Sequence, residues 1–233
     1  NSTVVSQTIF VRDTEAPVWS VRDTVRLNVA GPSSCFAAPQ YKITADSVKD
    51  NCSAFAGLTI TMTVDYVTDP KCTDITTARP YSAALLDTFP TGTNTVVFHV
   101  TDQCGRSATK TVRIIVRDNQ APLFVGTFSN LCEEYYTKMN TPGACSNTHQ
   151  WQRPSNLFAG APDITDCNLL RVEEIISDAS VAGAIPPFQY NAPSFVQLYP
   201  TGQFPVGVTT VSYVATDRAG NKSTSSFTVE VVD

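Results

Sequence analysis

Residues 204–233 read FPVGVTTVSYVATDRAGNKSTSSFTVEVVD, and residues 89–118 read FPTGTNTVVFHVTDQCGRSATKTVRIIVRD. The two stretches align without a gap, and residues 2–13, STVVSQTIFVRD, match the end of the same phrase. Repetition at this spacing is typical of an array of similar domains. We therefore predict the last strand of a preceding module at 1–13, a first whole module at 14–118, and a second module with an expanded middle region at 119–233.

Apolar and polar residues alternate within the repeated phrase. The residues expected on one strand face are Val96, Phe98 and Val100 in the first copy and Val211, Tyr213 and Ala215 in the second. Period two with β-branched and aromatic side chains is typical of half-buried antiparallel strands. The Thr-Asp-x-x-Gly segments at 101–105 and 216–220 separate two such strands and predict hairpin turns. We predict an all-β fold of tandem Ig-like β-sandwiches, with residues 168–177 as the main helical candidate.

Composition narrows the class of protein. Only 16% of the 233 residues are charged, and the net charge is -5, which disfavours nucleic acid as a partner because that needs clustered Lys and Arg. No stretch is long and apolar enough for membrane insertion. The chain has only His99 and His149 as histidine bases and no recognisable catalytic motif, and the adjacent Glu173 and Glu174 are expected on a solvated face. We predict no enzymatic activity.

The phrase FP-x-G-x-x-T-V, followed by T-D-x-x-G and a Val-rich strand ending in Asp, resembles the HYR (hyalin repeat) domain. Residues 50–52, Asp-Asn-Cys, are similar to that family's mid-domain motif, whereas residues 166–168 read Asp-Cys-Asn. The resemblance implies extracellular or cell-surface modules for adhesion and spacing. The cysteines resemble those of HYR arrays in giant adhesins of gliding bacteria, which implies cell adhesion, with gliding motility as one setting. The implied partners are neighbouring modules of the same chain and a surface polysaccharide or other cell-surface ligand.

The junctions at 12–19 and 117–124 are short and contain proline, which stiffens them. The second junction is similar to the cadherin linker, which calcium rigidifies. In an Ig-like sandwich, the loops after the second strand and before the last lie at the end where this linker enters. Calcium takes six to eight oxygen ligands. The candidate calcium ligands are Asp13, Glu15, Asp46, Asp50 and Asp102 in the first module and Asp118, Asn119, Asp163, Asp166 and Asp217 in the second. The alternative is that these residues only cap turns.

Seven cysteines in a β-rich chain favour an oxidising compartment. Comparison of the two copies favours Cys35–Cys52 and Cys145–Cys167, which leaves Cys72–Cys104 as a third pair. A straight strand between Cys35 and Cys52 would hold them too far apart. The competing set is therefore Cys35–Cys72 with Cys52–Cys104, and Cys132 has no assigned partner in either set.

The expanded region of the second module carries Tyr135, Tyr136 and Trp151 among polar residues. Aromatic rings beside amides can form a platform on which sugars stack. This pattern predicts, as the alternative function, a pair of carbohydrate-binding modules. The competing interpretation is that these rings pack the core of the larger module.

Overall fold

The computed structural model describes residues 3–39, 41–66, 75–81, 88–126, 135–140, 142–155, 163–190 and 198–233. The chain forms two compact units. The first unit comprises Asn1–Val29 and Phe36–Arg117, and the second comprises Ala30–Cys35 and Asp118–Asp233. Among the described residues, no helix is long and apolar enough to cross a membrane.

In its described residues, the first unit consists of strands and a short 3-10 helix, Phe55–Gly57. Its strands are β1 (Val18–Trp19), β2 (Thr24–Asn28), β3 (Phe36–Ala37), β4 (Val48–Lys49), β5 (Thr59–Asp65), β6 (Ile75–Pro80), β7 (Phe89–Pro90), β8 (Gly92–Thr101) and β9 (Ser107–Arg117). The main sheet has five strands in the order β2-β9-β8-β5-β6, and the pairs β1-β4 and β3-β7 are separate. Strand β2 pairs parallel with β9, whereas β8 pairs antiparallel with β5 and β9.

The core of the first unit follows from the alternation of strand β8. Val96, Phe98 and Val100 are fully buried, as their spacing predicts, because successive side chains of a strand point to opposite faces. They pack with Val48 of β4 and Phe89 of β7. Residues of the main sheet and of the short strand pairs therefore share one core, as in a β-sandwich.

The second unit repeats this plan. Its strands are β10 (Leu123–Phe124), β11 (Tyr135–Met139), β12 (Ser146–Gln150), β13 (Ile164–Thr165), β14 (Leu169–Ile176), β15 (Thr201–Pro205), β16 (Gly207–Asp217) and β17 (Lys222–Val232). The main sheet has the order β11-β17-β16-β14, accompanied by the pairs β10-β13 and β12-β15. Helix α1 (Ala179–Ala184) begins after Asp178, whose carboxylate accepts hydrogen bonds from the backbone N–H groups of Ser180 and Val181. The predicted all-β fold of tandem Ig-like units is confirmed.

The helix predicted at 168–177 is wrong. Leu169–Ile176 forms strand β14, which pairs antiparallel with β16. The physical reason is that Val211, Tyr213 and Ala215 of β16 are fully buried, and Val172 and Ile176 of β14 pack against the core that they form. Tertiary pairing therefore overrides the weak helical propensity of this segment.

Both predicted hairpin turns are present. The backbone N–H of Asp102 donates to the carbonyl oxygen of Arg106, and that of Asp217 donates to the carbonyl oxygen of Asn221. Gly105 and Gly220 have φ values of 82° and 89°, the left-handed region that glycine enters without steric cost. Each turn therefore places an aspartate at the end of its unit's longest hairpin.

Candidate metal centre

Three of the predicted calcium ligands converge within the first unit. Asp13, Asp50 and Asp102 each contribute one carboxylate oxygen, and these three oxygens all lie within 4.8 Å of one another. Asp13 precedes β1, Asp50 directly follows β4, and Asp102 begins the turn between β8 and β9. Segments far apart in the sequence therefore meet at one point of this unit.

One oxygen of each carboxylate caps the local backbone. Asp13 Oδ1 accepts a hydrogen bond from the backbone N–H of Glu15 at 3.1 Å. Asp50 Oδ2 accepts from the N–H groups of Cys52 at 3.1 Å and Ser53 at 2.6 Å. Asp102 Oδ1 accepts from the N–H groups of Cys104 at 2.8 Å and Arg106 at 2.7 Å. Turn capping, the alternative role, is therefore present at all three residues.

The second oxygen of each carboxylate has no hydrogen-bond partner of normal geometry. The Cys52 thiol, a weak donor, lies beside Asp13, whose charge raises the pKa of that thiol. Asp13 Oδ2, Asp50 Oδ1 and Asp102 Oδ2 are buried and accept no hydrogen bond in the described structure. The residues Asp13 and Asp102 are only 8% and 6% exposed. Buried carboxylate oxygens without a donor or a cation are costly, since like charges repel and burial penalises the ionised form.

Calcium fits this arrangement. Oxygens that share one calcium ion at about 2.3–2.6 Å can be no more than about 5 Å apart, and the three carboxylates meet that limit. All three are hard oxygen ligands, as calcium prefers. No ion pair in the described structure joins these carboxylates to the neighbouring Arg106 or to another basic residue. Backbone carbonyls and water would complete the coordination.

The other candidates in the first module do not join this cluster. Glu15 is exposed and its Oε2 accepts a hydrogen bond from Asn51 Nδ2 at 3.1 Å. Asp46 is exposed on the turn before β4. The physical reason is that a carboxylate on the outer side of a loop gains more from water than from a crowded acidic cluster.

The second unit holds the equivalent residues Asp118, Asp166 and Asp217, and their first oxygens also cap turns. Asp118 Oδ1 accepts from the N–H of Gln120 at 3.2 Å, Asp166 Oδ1 from that of Asn168 at 2.6 Å, and Asp217 Oδ1 from that of Asn221 at 2.8 Å. Their second oxygens differ from those of the first unit in their hydrogen-bond partners. Two of them accept hydrogen bonds from side-chain amides, and only Asp166 Oδ2 has no partner.

The pKa of Asp166 is raised to about 6, mainly by burial and also by the charges of Asp217 and Asp118, while the hydrogen bond from the Asn168 backbone N–H acts in the opposite direction. The other two candidates of this module lie apart from these carboxylates. Asn119 is exposed and accepts a hydrogen bond from the side chain of Gln120 at 3.2 Å. Asp163 Oδ2 accepts from the N–H of Ser155 at 2.8 Å, and burial raises its pKa.

The disulfide differs from both predicted sets. Cys35 is bonded to Cys167, with their Cα atoms 5.5 Å apart, so the pairs Cys35–Cys52, Cys145–Cys167 and Cys35–Cys72 are wrong. The reason is that Ala30–Cys35 belongs to the second unit, where Cys167 N–H also donates to the carbonyl oxygen of Pro32 at 2.8 Å. Pairing within each module was the mistaken assumption.

The remaining cysteines are unbonded or undescribed. The thiols of Cys52, Cys104 and Cys145 are free and exposed. Because Cys52 and Cys104 are free, the predicted pairs Cys52–Cys104 and Cys72–Cys104 are wrong as well. Cys72 and Cys132 themselves lie outside the described residues.

The aromatic residues proposed for sugar stacking do not form an exposed platform in the part of the chain that the structure describes. Trp151 is only 6% exposed, packs edge-on against Phe204 and donates its indole N–H to the Tyr213 hydroxyl at 2.9 Å. Tyr136 is half-buried and packs edge-on against Phe227. The side chain of Tyr135 lies outside the described structure. The positions of Trp151 and Tyr136 favour the core-packing interpretation.

A buried ion pair was missed by sequence reasoning. Arg153 and Glu174 have side chains only 1% and 5% exposed, and Arg153 Nε donates to Glu174 Oε1 at 2.9 Å. The Tyr213 hydroxyl also donates to Glu174 Oε1, at 3.1 Å. Burial and the negative charge of Glu174 raise the pKa of Tyr213 well above its ordinary value. The expectation that both glutamates face solvent is therefore wrong for Glu174.

The chain is similar to extracellular domains of several solved structures. The human desmocollin-1 ectodomain is 13% identical, with a TM-score of 0.28 over 96% of this chain and 38% of that one. Immunoglobulin domains 1–4 of sidekick-1 are 11% identical, with a TM-score of 0.35 over 94% of this chain and 49% of that one. Mouse cadherin-23 EC22–24 is 12% identical, with a TM-score of 0.31 over 94% of this chain and 68% of that one.

This chain thus spans less than half the length of the first two structures. The comparison with curated proteins found no match. The family model of the HYR domain matches residues 191–231. The resemblance indicated by the repeated phrase is therefore confirmed in the second unit, where this chain carries an HYR domain match.

Proposed function

We propose that this chain is a non-enzymatic repeat segment of a large extracellular or cell-surface adhesin. The HYR match at 191–231 and the two Ig-like units support a role in adhesion and spacing. Neighbouring modules of the same chain are its first partners. A calcium ion held by Asp13, Asp50 and Asp102 stiffens the entry into the first unit.

The observation that carries the calcium proposal is the set of three buried carboxylate oxygens without partners. A cation among them would connect the incoming segment, through Asp13, to the loop of Asp50 and the hairpin turn of Asp102. Residues 3–13, predicted as the last strand of a preceding module, and residues 14–17 form no regular secondary structure, so no backbone ladder orders this entry. The ion therefore supplies a cross-link where the backbone ladder supplies none.

Thermal unfolding with calcium and with chelator tests the proposal. We expect calcium at about 100 times its dissociation constant to stabilise the first unit by about 2.7 kcal/mol, a midpoint shift of about 10 °C or more. Asp102→Asn keeps the shape and an acceptor for the turn but removes a charged ligand, so it should abolish the shift. Asp46→Asn is the matched control, since Asp46 is an exposed aspartate of the same unit outside the cluster.

Limited proteolysis gives a second measurement. Trypsin cleaves after Arg12, which is exposed and directly precedes Asp13. Calcium should slow this cleavage in the wild-type chain and in Asp46→Asn, but not in Asp102→Asn. Equal cleavage and equal midpoints with calcium and chelator would show that these aspartates only cap turns.

A further inference from the structure

The second carboxylate oxygens of the equivalent aspartates have different surroundings in the two units. In the first unit, the second oxygens of Asp13, Asp50 and Asp102 have no hydrogen-bond donor. In the second unit, Asn221 Nδ2 lies 2.8 Å from Asp217 Oδ2, 3.2 Å from the carbonyl oxygen of Gln120 and 3.3 Å from that of Asp118. One amide nitrogen thus sits among a carboxylate and two carbonyl oxygens.

We infer that Asn221 takes the place of the cation in the second unit, which therefore needs no calcium to hold its entry segment. The inference deepens the proposed function and rests on it for the comparison with the first unit. The bonds of Asn221 join the incoming residues Asp118 and Gln120 to the hairpin turn at Asp217. They connect the same two parts of the unit that the ion connects through Asp13 and Asp102.

The sequence shows why only one unit has this amide. The aligned turns read Thr-Asp-Gln-Cys-Gly-Arg at 101–106 and Thr-Asp-Arg-Ala-Gly-Asn at 216–221, so Arg106 stands where the second unit has Asn221. Arg106 is exposed, and its long side chain makes no described ion pair with the three aspartates. A short amide donates to nearby oxygens from the turn itself, whereas a guanidinium on a flexible stem keeps its charge in water.

Asn168 contributes a second difference. Its Nδ2 donates to Asp118 Oδ2 over 3.5 Å, and the aligned residue of the first unit is Cys52, a weak donor. The exchanged order of Asn and Cys in the two mid-domain segments therefore has a physical consequence. The second unit has amide donors for two of its three spare carboxylate oxygens, and the first unit has none.

The two tryptophans allow each unit to be followed separately in the whole chain, because Trp19 lies in the first unit and Trp151 in the second. Fluorotryptophan labelling and fluorine NMR would report the two unfolding midpoints. We expect calcium to raise the Trp19 midpoint and to leave the Trp151 midpoint unchanged. Asn221→Ala should lower the Trp151 midpoint in chelator by about 5 °C or more, because it leaves acceptors unpaired. The matched variant Arg106→Ala should leave the Trp19 midpoint unchanged.

Calcium titration by calorimetry keeps the inference testable if Asn221→Ala fails to fold. The wild-type chain should bind calcium through the first unit only, so Asp102→Asn should abolish binding and Asp217→Asn should leave it unchanged. A wild-type Trp151 midpoint that rises with calcium, or binding lost in Asp217→Asn, would overturn the inference. If neither midpoint responds to calcium but Asn221→Ala lowers that of Trp151, the proposed calcium site fails and the role of Asn221 stands.

Discussion

At the residue scale, the two carboxylate oxygens of Asp102 have different surroundings. Asp102 Oδ1 caps the hairpin turn, while Asp102 Oδ2 is left buried without a donor. The capping role of Asp102 Oδ1 therefore leaves Asp102 Oδ2 available for the proposed cation. A sequence shows that an aspartate follows a strand, but it does not show which oxygen remains available.

Glu173 and Glu174 are adjacent in the sequence but differ in burial, so a substitution at each position tests the structure of this strand. Glu174 is buried with Arg153, whereas Glu173 forms an ion pair with Arg171 in which both side chains are about half exposed. Removing one partner of a buried pair leaves an uncompensated charge and costs about 3–5 kcal/mol. We expect Glu174→Ala to destabilise the second unit by about that amount.

The neighbouring Glu173→Ala is the control, with an expected effect below about 1 kcal/mol because exposed ion pairs contribute little. Urea unfolding monitored by hydrogen exchange of peptides from the second unit would measure both variants. Equal effects at the two positions would contradict the burial of Glu174.

At the element scale, the alternation of β8 and β16 led directly to the observed burial, because a strand facing one core needs only every second residue to be apolar. The same reasoning failed for residues 168–177, where we predicted a helix and the structure has strand β14. Its two adjacent glutamates interrupt the alternation, and only the pairing with β16 shows that Glu174 faces inward to Arg153. Interior charges of this kind obscure the period of a strand.

Gly202 lies in strand β15 and is closely surrounded by side chains of the core. A Cβ added at Gly202 would lie 3.1 Å from Trp151 and from Val181 of helix α1, so the neighbouring side chains would have to move. We expect Gly202→Ala to destabilise the second unit by about 1–3 kcal/mol through overpacking.

Gly183→Ala is the matched control, since Gly183 lies in α1 and nothing is within 4 Å of an added Cβ there. Alanine in place of a helical glycine should stabilise by about 0.5–1 kcal/mol. Thermal unfolding of the two variants would show opposite shifts, and a stabilising Gly202→Ala would contradict the packing of this strand.

At the scale of the whole molecule, the disulfide joins residues with a sequence separation of 132. Non-reducing peptide mapping should therefore recover a linked peptide pair containing Cys35 and Cys167. Cys145→Ser should leave that pair intact, because Cys145 is free. Recovery of Cys35 with Cys52, or loss of the pair in Cys145→Ser, would contradict the structure.

The amino-acid sequence by itself determined the repeated modules, the strand alternation, the glycine turns and the positions of the acidic residues. These properties are local, since they depend on period and on the φ values that turn residues allow. Tertiary structure alone decided that Cys35 pairs with Cys167, that Glu174 is buried with Arg153, and that Asn221 reaches Asp217 and the incoming backbone while Arg106 points to solvent. Each of these depends on which distant segments meet, because contacts between residues far apart in the sequence are set by packing and not by local residue preference.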